Sequence, residues 1–210
     1  MSGAVVVALD GDLDWADFDI PDSSAPVRLA TLRKEPSRAR TVLVRFPRGW
    51  ERPEAGWYSV SEEIVFLAGT LGMSGEVYTT GEWVYVPQGT ARSHTVAQTD
   101  VLTIARFGGP ARWNAGYPSD GTNGSAVLRR ALSPAENAVG SPLGAGDAWI
   151  LRRGSADATW LLEAPAAGGS AHFNAELLAL GSRTWAFVPA GAPFPDLEGL
   201  CFCRTFDSDD

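Results

Sequence analysis

Apolar residues come in short alternating runs along this chain. The runs are TVLVRF from Thr41, EIVFLAG from Glu63, EWVYVP from Glu82, DVLTIARF from Asp100, AWILRR from Ala148, TWLLEA from Thr159, ELLAL from Glu176 and WAFVPAG from Trp185. Each is rich in Val, Leu and aromatic residues and bounded by Gly, Pro, Asp or Ser, the pattern of a β-strand with one face in a core. Glycine (23) and proline (14) are frequent enough to supply a turn after every run, and no segment sustains the helical apolar period. The expected class is all-β, a sandwich or barrel.

The runs also repeat. LVRFP at 43–47 is answered by LLEAP at 161–165, EIVFLAG by ELLALG, VYVPQG at 84–89 by AFVPAG at 186–191, and ARF ending at Phe107 by RTF ending at Phe206. The order is kept while the spacing shrinks, as expected of a second copy with the same strands and shorter hairpins. The organisation predicted is an N-terminal arm over 1–26, a first barrel over 27–115, a linker over 116–125 and a second barrel over 126–206. The linker is the polar stretch GYPSDGTNGS.

Composition narrows the function. With 210 residues, 45% of them hydrophobic, the chain can build one large core or two small ones. A formal charge of −8 argues against nucleic acid or an anionic membrane, both of which need clustered positive charge. The apolar run Ala4 to Leu9 is too short to span a bilayer, follows no basic residue and precedes no small-residue cleavage pattern, so a cytoplasmic protein is expected. Cys201 and Cys203, one residue apart on a strand, read as buried thiols, since alternate strand positions rarely reach disulfide geometry.

Two spaced motifs give a sharper indication. Gly49, Glu62 and Gly69 keep the spacing of a glycine, five residues, His-x-His, a glutamate and a second glycine; Ala55 and Trp57 stand at the histidine positions, or Gly56 and Tyr58 if the frame shifts by one. Gly81, Pro87 and Gly89 keep the spacing of a second motif that ends in histidine, where this chain has Arg92. In the second copy FVPAGAPF matches this motif, with Phe194 at the histidine position. In these features the chain resembles the cupins, jelly-roll barrels that often occur duplicated as bicupins. The resemblance implies a bicupin fold. It also points to a family that usually binds iron, manganese, nickel or zinc through three histidines and a glutamate, and that includes dioxygenases, decarboxylases, isomerases, cyclases and non-catalytic sensors.

The chain's own residues do not match that ligand set. Its two histidines, His94 and His172, fall in different repeats, so one chain cannot supply a three-histidine site. No metal and no cofactor are expected. What remains in the first copy is Glu62, Arg92, His94 and Tyr58 as candidate catalytic groups, and Trp57, Trp50, Phe66 and Tyr85 as candidate walls of a substrate pocket. Strand alternation would place Arg92 and His94 on one side, facing Glu62. Glu62 then acts as general acid or base while Arg92 holds a developing oxyanion. Alternatively the two form a purely structural ion pair in the volume a metal would fill.

Three functions are compatible with these residues. The first is a metal-independent enzyme carrying out cyclisation, dehydration or isomerisation on a small hydrophobic metabolite. The second is a binding or sensing module using the same pocket, and the third a metal-dependent dioxygenase or decarboxylase with unusual ligands. The expected partner is a small molecule, with no nucleic acid and no membrane, and the expected assembly is a homodimer formed through sheet edges.

Overall fold

The computed structural model describes residues 3–119, 126–133, 148–153 and 157–206. Among these residues every regular element is a strand. The chain opens with β1 (Val5–Ala8) and β2 (Trp15–Phe18), then β3 (Val27–Lys34), β4 (Arg40–Phe46), β5 (Glu51–Arg52), β6 (Gly56–Tyr58) and β7 (Glu62–Ala68). It continues with β8 (Thr70–Met73), β9 (Glu76–Thr79), β10 (Glu82–Val86), β11 (Thr95–Ala97), β12 (Val101–Phe107) and β13 (Trp113–Ala115). Last come β14 (Leu128–Ala131), β15 (Ala148–Arg153), β16 (Asp157–Glu163), β17 (Asn174–Ala179), β18 (Thr184–Val188) and β19 (Leu200–Phe206).

Two compact units result, one of Asp14–Ala131 and one of Met1–Leu13 with Leu132–Asp210. The first contains a seven-stranded sheet in the order β14-β10-β7-β12-β4-β3-β2, a four-stranded sheet β5-β11-β8-β9 and the pair β13-β6. The second contains a six-stranded sheet in the order β1-β18-β17-β19-β16-β15. Five successive strands therefore share one order in the two units, β10-β7-β12-β4-β3 in the first and β18-β17-β19-β16-β15 in the second.

The ends of the repeat differ from the sequence reading. The stretch 1–26 is not a single arm: β1 pairs with β18, Val5 opposite Phe187, whereas β2 pairs with β3, Trp15 opposite Ala30. Residues 128–131, expected in the second barrel, lie on β10 of the first unit, with Glu82 opposite Ala131. The physical reason is the same in both units. β10 and β18 would otherwise be sheet edges with unpaired N–H and C=O groups, and a four-residue strand from elsewhere in the chain satisfies them. Residues 120–125 of the expected linker lie outside the described residues.

The core of the first unit sits between its two larger sheets. Val42, Val44, Ile64, Phe66, Val84, Val86 and Ala105 come from one sheet, and Leu71, Met73, Tyr78 and Ala97 from the other. Alternation on β7 sets the direction of its two glutamates. Ile64 and Phe66 belong to this core, so Glu62, two residues before Ile64, points to the same side, while Glu63 points away and lies opposite Arg106 of β12. The motif glycines have a backbone cause: Gly49, Gly69, Gly81 and Gly89 all adopt positive φ, between 74° and 86°. At Gly69 a Cβ would also stand 2.1 Å from the Asp100 carbonyl oxygen.

Candidate functional site

One end of this core opens into a cavity of about 70 Å³ bordered by Glu62, Arg92, Arg52, Tyr58, Trp50 and Thr95, with apolar walls that include Val42, Ile64 and Leu71. Glu62 and Arg92 are each more than nine-tenths buried and form an ion pair in which Arg92 Nη1 donates to Glu62 Oε2. Backbone contacts fix Arg92. Its N–H donates to the Gly56 carbonyl at 2.8 Å, and the Gly56 N–H donates back to the Arg92 carbonyl at 2.9 Å. Gly56 can hold this position because it lacks a side chain; a Cβ there would lie 2.1 Å from the Trp113 ring and 2.7 Å from the Asn114 carbonyl oxygen.

Tyr58 also borders the cavity. Its ring packs edge-on against Phe107 and Trp113 and lies under the Arg92 guanidinium, 4.9 Å from ring centroid to Cζ. Of the two motif frames open in the sequence, the one that brings a side chain to the cavity is Gly56 and Tyr58. Trp57, on the alternate face of β6, is half-buried outside it, with its carbonyl accepting from the Asn114 amide. Trp50 borders the cavity, buried against Phe46, its indole N–H donating to the Ala25 carbonyl at 2.9 Å.

Besides Trp57, three expected residues fall elsewhere. His94 is exposed, with φ of 45° and its backbone N–H donating to Pro53. The regular strand begins only at Thr95, so alternation does not run from Arg92 to His94, and Thr95 takes the cavity position. Phe66 is core, stacked on Tyr78 at 5.6 Å. Tyr85 is half-buried on the face of β10 opposite that of Val84 and Val86. With these aromatic rings in the walls or outside, the cavity is far smaller than the aromatic-lined pocket expected, and below the roughly 300–1,000 Å³ of common ligand pockets.

The sequence reading missed Arg52. It is 4% exposed, lies opposite Thr95 across β5 and β11, stacks on the Trp113 ring at 3.6 Å and reaches the Tyr58 hydroxyl at 3.5 Å. Burial lowers its pKa, the hydroxyl of Tyr58 works against that, Arg92 lowers it further and Glu62 opposes; the net shift is downward. The signal that could have found it is alternation from Trp50, which puts residue 52 on the same side. Arg40, half-buried over the Phe107 ring at 5.3 Å, adds a third guanidinium.

The second unit carries a larger groove of about 260 Å³ around Trp160, Leu162, Phe173 and Phe194. His172 is at its exposed rim, and among the described residues no Asp, Glu, Lys or Arg borders it. Of these two cavities, the one bordered by charged side chains is that of the first unit.

No protein-family model and no curated protein matches the chain. Solved structures do. A protein assigned as a candidate dioxygenase from Nostoc punctiforme matches with a TM-score of 0.76 at 15% identity, covering 98% of this chain and 83% of that one. Ylba from E. coli matches at 0.58 and 11% identity, covering 99% and 93%. Oxalate decarboxylase of B. subtilis matches at 0.50 and 14% identity, covering 100% and 78%. At these identities the likeness shows the fold, an all-β cupin fold.

Proposed function

We propose that the chain is a bicupin, and that its first unit is a metal-independent acid–base site for a small organic molecule. The shared order of five strands in the two units supports the duplication. The observation that carries the function is the Glu62–Arg92 pair on the wall of an otherwise largely apolar cavity. The metal that the family usually holds does not fit these residues. Gly56, Tyr58 and Arg92 offer no imidazole, and the described residues contain no group of three or more His, Cys, Asp or Glu side chains that could hold an ion. Beside Glu62 the positive charge is that of a guanidinium.

In this reading Glu62 accepts a proton from a carbon next to a carbonyl. The guanidinium of Arg92 and the phenol of Tyr58 stabilise the enolate oxygen that forms, and the apolar walls keep water away. The small volume selects short substrates. Hydrogen–deuterium exchange at the methyl groups of acetone and pyruvate in D2O, monitored by NMR, tests this without a known physiological substrate. The protein should accelerate exchange, and Glu62→Gln should reduce the acceleration by about 10²–10⁴-fold per folded molecule. Absence of acceleration with either probe would overturn the catalytic reading.

A second reading is binding or sensing without turnover. It is favoured by the way the Arg92 bond already occupies one oxygen of Glu62, the only carboxylate among the described residues that borders the cavity. The expected assembly remains a homodimer, which sedimentation at micromolar concentration checks.

A further inference from the structure

The buried charges around the cavity do not balance. Arg52 and Arg92 carry two positive charges and Glu62 one negative charge, all nearly inaccessible. The surplus is on Arg52, for which no ion pair with a carboxylate occurs among the described residues. Its Nε–H has no hydrogen-bond partner, and two further buried polar atoms at the same cavity, Arg92 Nε and Thr95 Oγ1, have none either. A buried donor without an acceptor is costly, and native structures satisfy nearly all of them. Three around one cavity, two of them on guanidiniums, describe a receptor for oxygen atoms.

We propose that Arg52, with Thr95 and Arg92, forms an anion subsite that takes the carboxylate of a short aliphatic acid. The count of nearly inaccessible groups, which leaves out the half-buried Arg40, calls for a single negative charge. The fork of a guanidinium, Nε–H beside Nη–H, matches the two oxygens of a carboxylate, and the stacking of Arg52 on Trp113 holds that fork in one plane. The hydroxyl of Thr95 donates from the neighbouring strand. Val42, Ile64 and Leu71 give the remainder of the ligand an apolar surround. A volume of about 70 Å³ limits that remainder to a few carbon atoms, since a cavity of roughly 150 Å³ is what accepts benzene.

This rests on the cavity being the functional site and deepens that reading by naming the ligand class. The test is calorimetric titration with propionate and with propionamide, which has the same shape but no charge, in chloride-free buffer. Propionate should bind with propionamide at least about tenfold weaker, and Arg52→Gln should lower propionate affinity about ten- to a hundredfold. No propionate binding up to about 20 mM, equal binding of the amide, or unchanged affinity in folded Arg52→Gln would each overturn the proposal. Should Arg52→Gln fail to fold, Thr95→Val takes its place; it should weaken propionate severalfold, and unchanged affinity would overturn the subsite.

Binding needs no proton transfer, so the two proposals fail separately. Glu62→Gln should lose exchange chemistry yet bind propionate as tightly as the native protein or tighter, because it removes the one negative charge of the cavity. If propionate binds and exchange is absent, the catalytic reading falls and the anion subsite stands. If exchange occurs while propionate and propionamide bind alike, the reverse holds.

Discussion

Breaking the Glu62–Arg92 pair should cost stability unequally, depending on which partner is removed. At contact distance in an effective dielectric of about 20, opposite charges attract by about 4 kcal/mol, while burying each ion costs several kcal/mol. The intact pair is therefore close to neutral overall, but a single partner left behind is expensive, about 3–5 kcal/mol. Glu62→Gln leaves Arg92 and Arg52 buried with no carboxylate among the described residues bordering the cavity. Arg92→Met leaves Glu62, which already acts on Arg52 through its charge and can pair with it. The expected order of loss is Glu62→Gln first, at about 3–5 kcal/mol, then Arg92→Met, with the double variant losing less than the two singles together. At about 2–4 °C per kcal/mol, Glu62→Gln should melt about 6–20 °C below the native protein. Urea titration monitored by tryptophan fluorescence, with melting by calorimetry, measures all four proteins. Losses below about 1 kcal/mol for Glu62→Gln, or singles that add to within about 0.5 kcal/mol in the double variant, would refute the picture of a buried, mutually dependent pair.

Two further outcomes concern the second unit. Burial pushes the Asp157 carboxyl up, but hydrogen bonds and charge from Arg152 (2.7 Å) and Arg204 (2.9 Å) outweigh it and hold the group below its ordinary value of 3.8. A depressed carboxylate stabilises the fold above its unfolded pKa and loses that contribution as pH falls through the folded one, so Asp157→Asn should be less stable than native at pH 7, and the two should converge only as pH falls through the folded pKa, below 3.8, in urea titrations. Burial raises the thiols of Cys201 and Cys203 to about 11 and about 12. Iodoacetamide at pH 8 should leave both unmodified in the folded protein and alkylate both in urea, as mass spectrometry would show.

Much of the fold was legible because its strands carry their own signal. β4, β7, β10, β12 and β15 to β18 are the alternating apolar runs, and β4, β7, β10 and β12 hold the places in one sheet that their repeats β16, β17, β18 and β19 hold in the other. The edges were not legible. β1 and β14 are four residues long, and what sets their partners is the edge left open on β18 and β10, a tertiary fact with no local pattern. Glu62 and Arg92 border the cavity at the positions that motif spacing gave them, and Tyr58 does so in the frame shifted by one. His94 did not, because a residue with positive φ breaks the strand just before Thr95 and resets which side is inward.

Arg52 shows why motif spacing alone gave only part of the site. Its segment, WERPEAG, is charged and rich in turn formers, so it reads as a solvated loop, and two exposed glutamates flank it at 51 and 54. Yet the backbone pairing of β5 with β11 and the Trp113 ring below it carry the guanidinium inward. A cationic side chain in that position is tolerable only where negative charge is within reach, and Glu62 is already held by Arg92. Among the nearly inaccessible groups of this cavity, one guanidinium stands beside Glu62 and a second is left over. The surplus makes the affinity of the site for an anion a property of the folded chain itself, independent of whether any bound molecule is subsequently turned over.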